Sequence, residues 1–280
     1  MIPLEKKTCI QIEITSHCNL TCKDCSRFCG HQPNVYFLPL THIKAALKSL
    51  EGFKGTIGCI GGEPTLHPKF EEICKLYQEY VPFEQRGLWT NGARWKENEK
   101  LIRETFPIKN IVYNAHDFEY KGYHQPLLIA MDEIIKDLEL RDELIDKCWV
   151  QKRWSACMNP NGAFFCEVAG AMDMLMDLDG GWEVKKDWWK RKDVSDQIEI
   201  YCSKCSMCIP FDKSVYDNPK QLATVGNIEL LYNNGVRDIN RFDIYYKEYT
   251  RKDYEKNVNG WKPGIFRNFN QHEPNERIYK

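Results

Sequence analysis

Cys18, Cys22 and Cys25 stand in a C-x3-C-x2-C spacing directly after a strand-like run, and this triplet limits what the chain can be. Thiols so close together on one loop serve as metal ligands or as half of a disulfide framework, and redox compartment decides between them. The chain has 13 cysteines in 280 residues, an odd count, and its opening MIPLEKKT holds no apolar signal-peptide core. A disulfide scaffold of this length without a secretory signal is not expected. No stretch approaches the roughly 18 apolar residues of a membrane span. The expected setting is therefore cytoplasmic, and the thiols are expected to bind metal. With Lys and Arg nearly balancing Asp and Glu at a formal net charge of −1, bulk charge gives no case for nucleic acid or an anionic membrane.

Up to about residue 117 strand and helix signals alternate. Residues 9–14 alternate as a strand and run into the polar turn 15–17. Thr41 is placed to cap a helix that ends near Leu50, with Gly52 just beyond. Residues 56–60 read as a short buried strand ending in Gly61-Gly62. Pro68 is placed to open a helix on which Phe70, Ile73, Cys74 and Tyr77 recur at helical spacing. A strand over 87–90, a helix over 95–106 and a strand over 110–113 follow. This rhythm predicts a parallel sheet, whose chemistry belongs at the carboxyl ends of the strands. The cysteines, Gly61-Gly62-Glu63-Pro64, Thr90-Asn91-Gly92 and Asn114-Ala115-His116-Asp117 all fall there. Further on, a helix is expected over 127–138. A hairpin is expected around Asn159-Pro160-Asn161-Gly162. The last seventy residues show weak periodicity and read as a covering segment.

Three thiolates on one loop can hold three irons of a 4Fe–4S cube and leave the fourth iron open, as a catalytic centre requires. With Gly61-Gly62-Glu63-Pro64 at the end of the next strand, residues 9–117 resemble the radical S-adenosylmethionine superfamily. The resemblance implies that the open iron chelates S-adenosyl-L-methionine. It implies that Gly61, Gly62, Glu63 and Pro64 receive the methionine end, the glycines allowing close backbone approach. It implies that Thr90, Asn91, Asn114 and His116 contact ribose and adenine. The family's aromatic residue before the third cysteine is replaced here by Asp24. Without the second motif, the triplet could be a zinc knuckle.

Cys148, Gly162, Cys166 and Cys202-x2-Cys205-x2-Cys208 form a second pattern, similar to the twitch and SPASM extensions of that superfamily. This likeness implies one auxiliary 4Fe–4S cluster on Cys148, Cys166, Cys205 and Cys208. Cys202 is the first substitute in that set and Cys157 the next contender; a structural zinc site on the same thiols is the alternative. Cys157 or Cys202, if left over, is a candidate hydrogen-atom donor, or simply a small buried hydrophobe. Glu167 is a candidate acid–base or substrate-anchoring group, or a solvated hairpin charge. Arg27, Cys29 and His31 either line the pocket or pack the loop, and His67 caps or packs near a helix start. His124 and Gln125 are placed within reach of a substrate on polarity alone. Trp182, Trp188 and Trp189 are a stacking surface or core. Cys9, Cys59 and Cys74 fall in core patterns.

The expected fold is α/β: a partial, truncated parallel (β/α) barrel over 1–147, a small cysteine-rich auxiliary domain over 148–212, and a covering segment over 213–280. The expected activity is an oxygen-sensitive radical S-adenosylmethionine oxidoreductase or epimerase. It would generate a 5′-deoxyadenosyl radical that abstracts hydrogen from a polar small molecule, a carbohydrate or aminocyclitol by family analogy. A one-electron reductant such as a flavodoxin or ferredoxin would be its partner. One rival is a maturase of a ribosomally made peptide, although only seventeen residues precede Cys18, where such enzymes carry a leader-binding domain. The other is a non-enzymatic zinc-thiolate interaction protein.

Overall fold

The strand that leads into the cysteine triplet, β1 (Cys9–Glu13), is buried at every position, as the centre of a parallel sheet must be. The computed structural model describes residues 2–113 and 125–261. After β1 come α1 (Leu40–Ser49), β2 (Thr56–Ile60), α2 (Phe70–Tyr80), β3 (Arg86–Thr90), α3 (Trp95–Thr105) and β4 (Ile111–Tyr113). Three short helices follow, α4 (Met131–Ile134), α5 (Leu138–Asp146) and α6 (Trp149–Arg153). The hairpin β5 (Ala156–Asn159) and β6 (Gly162–Phe164) leads into α7 (Glu167–Met176) and α8 (Ser195–Tyr201).

One six-stranded sheet in the order β4-β3-β2-β1-β5-β6 forms the centre. The strands from β4 to β5 run parallel, and β6 returns antiparallel to β5. The fold is thus α/β with an open, partial barrel. The expected hairpin forms, with Asn159 opposite Gly162 across a two-residue turn, but it extends the sheet of the first 147 residues by pairing with β1. Ile10, Ile12 and Ile14 are fully buried, as are Ile43 on α1 and Ile73 and Tyr77 on α2. Each such aliphatic side chain contributes about 1.5–3 kcal/mol by leaving water.

Several local expectations are corrected. The first helix begins at Leu40 with Pro39 before it, and Thr41 makes no cap. Pro39 supplies the fixed φ of a helix entry without a side-chain acceptor. Pro68 likewise precedes a helix that starts at Phe70. The helix expected over 127–138 is a single turn, α4. Residues 127–130 are not helical, because Leu128 bridges Ala223 and its carbonyl accepts from Thr224 N at 3.1 Å. Residues 213–261 hold α9 (Lys213–Tyr216), β7 (Gln221–Ala223), α10 (Val225–Asn233), β8 (Phe242–Ile244) and α11 (Arg251–Val258). β7 and β8 pair parallel around α10 as a small β-α-β unit. No helix among the described residues is long and apolar enough to cross a membrane.

Candidate active site

The cysteine triplet lies on a loop, residues 17–35, that is closed like a noose beyond the carboxyl end of β1. Thr15 pairs with Phe37, the Thr15 hydroxyl donates to the Tyr36 carbonyl at 2.6 Å, and Leu38 N donates to Ile14 O at 2.8 Å. Phe28 and Arg27, both buried, plug its underside. Asp24 and Phe28 take positive φ, +54° and +50°, which turns the chain sharply around Cys25. The Cys29 thiol stands beside that of Cys25, and the hydrogen bond between them lowers the Cys25 pKa and raises that of Cys29. Burial pushes the Cys18 thiol up.

Residues 61–64 pack directly on this loop. Gly62 N donates to Thr15 O at 2.7 Å and Glu63 N to His17 O at 2.8 Å. A Cβ on Gly61 would strike the Thr15 carbonyl oxygen, and one on Gly62 the His17 carbonyl. The glycines therefore answer first to the approach of two protein loops, a reason that the sequence did not suggest.

Glu63 is fully buried. One of its oxygens accepts from Thr65 N (3.1 Å), Thr65 Oγ1 (2.7 Å) and Thr90 Oγ1 (2.6 Å); the other accepts from Asn91 N (2.6 Å). Burial raises its pKa, and these bonds work the other way. Pro64 starts a short 3-10 turn for which Glu63 is the cap. Asn91 reaches back to the cysteine loop, its side-chain amide 3.6 Å from Cys18 Sγ and 2.9 Å from Asn19 Oδ1. Cys18, Gly61 to Pro64, Thr90 and Asn91 thus meet at one end of the sheet. Asn114, Ala115, His116 and His124 lie outside the described residues.

The second thiol group also comes together. Cys148, Cys166, Cys202, Cys205 and Cys208 line one cavity, whose remaining walls are largely apolar and include Phe165 and Met172. The first of these precedes α6, the second precedes α7, and the other three follow α8. Their loop is fastened from several sides. Trp149 Nε1 donates to Met207 O at 2.8 Å, Gln125 Nε2 to Ile209 O at 2.8 Å, and Asn227 Nδ2 to Lys204 O at 2.9 Å. Gln125 is thereby a holder of this loop. Burial raises the Cys166 thiol to about 11 and also raises Cys202 and Cys205. The Cys208 thiol lowers Cys148 by hydrogen bonding to it.

Among the described residues no three His, Cys, Asp or Glu side chains are gathered tightly enough to hold one metal ion. A cube distributes its ligands over four irons, so its thiols stand around a space. Five thiols around an apolar cavity form the donor set such a cluster takes, and its iron would supply the positive charge that buried thiolates otherwise lack. At the first loop, the three thiols ahead of a buried turn fit a cluster open at one iron.

Glu167 is not a solvated charge: it is buried and bonded to Arg27. Cys157 is fully buried, its thiol turned to the carbonyls of Cys166 (3.8 Å) and Glu167 (3.9 Å). Cys9, Cys59 and Cys74 are core residues as expected. His67 packs near the start of α2, buried against Phe37 with its Nδ1 accepting from Lys69 N at 3.1 Å, while Lys69 itself is the N-cap and has no side-chain cap. Trp188 and Trp189 are buried, and Trp189 Nε1 donates to Ser49 O, so they are core.

No family model matches the chain, and no curated protein is similar to it. Among solved structures, a selenomethionine form of BtrN in an open conformation is 18% identical, with a TM-score of 0.43, covering 72% of this chain and 90% of that one. BtrN in complex with AdoMet and 2-DOIA is 20% identical, with a TM-score of 0.44, covering 70% and 87%.

Proposed function

We propose that this chain is a radical S-adenosylmethionine enzyme. The observation that carries the reading is the meeting of three elements at one end of the parallel sheet. These are the Cys18/Cys22/Cys25 loop, the Gly61-Gly62-Glu63-Pro64 turn packed on it, and the Thr90-Asn91 turn tied to both. When bound, a 4Fe–4S cluster and S-adenosyl-L-methionine would supply one electron and a 5′-deoxyadenosyl radical able to take hydrogen from an unactivated carbon.

The chain's own residues prepare that place. The noose carries Cys18, Cys22 and Cys25, the three thiols that would hold the cluster, on one loop. Glu63 positions the Thr90-Asn91 turn through its buried carboxylate, while the amides of Gly62 and Glu63 fasten the motif to the cysteine loop, so only its remaining backbone groups would face a ligand's methionine end. Asn91 would orient a ribose beside Cys18. The cavity of Cys148, Cys166, Cys202, Cys205 and Cys208 would hold an auxiliary 4Fe–4S cluster through four of its five thiols.

The substrate would be a polar small molecule of the carbohydrate or aminocyclitol class, and a small one-electron carrier would be the reductant. The reaction would be dehydrogenation or epimerisation; of the two candidate hydrogen donors Cys157 faces protein carbonyls within the core, which leaves Cys202 as the thiol an epimerase would use.

Anaerobic purification with iron and sulfide analysis tests the reading. About eight irons per chain are expected, falling to about four in a Cys18/Cys22/Cys25→Ala variant, with 5′-deoxyadenosine formed only by the parent protein. Zinc in place of iron after anaerobic reconstitution would sink it.

A further inference from the structure

Arg27 enters the core two residues after Cys25, and its guanidinium is held by both sides of the molecule. Nη1 donates to Glu13 Oε1 at 2.8 Å and to the Glu167 carbonyl at 2.9 Å. Nη2 lies 3.1 Å from Glu167 Oε1 and donates to Gln11 Oε1 at 2.5 Å. All four side chains are buried. Gln11 and Glu13 belong to β1, whereas Glu167 is the first residue of α7 and directly follows Cys166. The other Glu167 oxygen accepts from the Ser155 hydroxyl. One ion pair thus reaches from the neighbourhood of Cys25 to that of Cys166.

We propose that the Arg27–Glu167 pair is a positioning and charge-setting link between the two thiol groups. This rests on the reading that each group holds an iron–sulfur cluster. The planar fork of arginine binds two carboxylates at fixed angles, which a flexible ammonium does not reproduce. The pair therefore fixes the noose against the start of α7. Its charges lie in a medium where they are felt further than in water, and cluster potential depends on nearby charge and on hydrogen bonding. Arg27 stands two residues after Cys25 and Glu167 directly follows Cys166, so a change at either end of the pair lies beside both groups.

The test uses the full chain, reconstituted anaerobically, as parent, Glu167→Gln, Arg27→Met and Arg27→Lys. Iron and sulfide are counted first. Midpoint potentials are then read by paramagnetic resonance in redox titrations, with the Cys18/Cys22/Cys25→Ala background isolating the auxiliary signal. Glu167→Gln removes one negative charge while keeping the shape of the side chain. It is expected to raise both potentials, each by a tenfold change in the reduced-to-oxidised ratio, about 59 mV for one electron. Arg27→Met is expected to lower both, and Arg27→Lys to recover the charge effect while broadening the resonance of the first cluster. Should Arg27→Met fail to fold, Glu167→Gln still decides. A Glu167→Gln protein with full iron whose first-cluster potential is unmoved overturns the link and leaves the enzyme reading standing. A parent protein lacking iron at either group overturns the reading, and the link falls with it.

Discussion

The Glu63 carboxylate accepts the Thr90 hydroxyl at 2.6 Å and so fastens the end of β2 to the end of β3. The same carboxylate takes the Asn91 amide at 2.6 Å on its other oxygen. An acidic residue in the Gly61-Gly62-Glu63-Pro64 motif is thereby a structural clasp. Glu63→Gln is expected to destabilise the ligand-free protein by about 1–3 kcal/mol. The amide places a donor against at least one of the donors now satisfied, leaving a buried group unpaired. Urea unfolding of ligand-free protein at pH 7 checks this, and an unchanged midpoint would mean that the clasp contributes nothing.

The clasp also marks how far the sequence could be read. Strands and helices up to Tyr113 were legible because each carries its own period and turn residues, and the meeting of motifs at the strand ends followed from parallel topology. The non-helical stretch 127–130 was not legible. Four consecutive apolar residues look helical until Leu128 finds Ala223, nearly a hundred positions away. The β7-α10-β8 unit was hidden because its strands are three residues long and leave no period to detect. From the sequence Arg27 reads as lining the pocket or packing the loop, and Glu167 as an acid–base or substrate-anchoring group or a solvated charge. Their partnership across 140 positions has no local signature, although two charged residues beside cysteines that are themselves core-directed were the available hint. Among the cavity thiols, C-x2-C spacing gathers only Cys202, Cys205 and Cys208; Cys148 and Cys166 join them from distant segments, which only the likeness to the twitch and SPASM pattern suggests.

His31 ties the cysteine noose to the β7–β8 unit and should make that junction sensitive to acid. Its Nε2 is 2.5 Å from Gln221 Oε1, and its ring packs on Phe242 at 5.1 Å between centroids. Arg241, from the same unit, donates to the Gly30 carbonyl. Burial lowers the His31 pKa from 6.5 to about 4. Between those values the unfolded chain binds a proton that the folded protein refuses, so stability rises with pH across this window. The contribution is fully present above pH 6.5 and is lost as pH falls toward 4, amounting to about 3 kcal/mol at most. Unfolding free energies measured from pH 4 to 7 should show a steeper slope for the parent than for His31→Gln. Parallel slopes would exclude the histidine as the source.

Trp149 offers a way to weaken the second thiol group without touching a thiol. It directly follows Cys148, and its indole Nε1 donates to the Met207 carbonyl at 2.8 Å, within the Cys205–Cys208 loop. The ring is buried and meets Trp154 edge-on at 4.6 Å between centroids. This one bond therefore joins two of the three chain segments that supply the cavity's thiols. Trp149→Phe retains an aromatic ring but leaves the Met207 carbonyl buried without this donor and opens a small void. Together these are expected to cost about 2–3 kcal/mol. With its thiols less firmly juxtaposed, the second group should release iron to a chelator several-fold faster, while the Cys18/Cys22/Cys25 group keeps its own. Timed chelation of reconstituted parent and variant, each with and without the Cys18/Cys22/Cys25→Ala change, separates the two groups. Equal loss from both would mean that Trp149 supports the fold as a whole. Selective loss from the second would place its hydrogen bond among the determinants of that site.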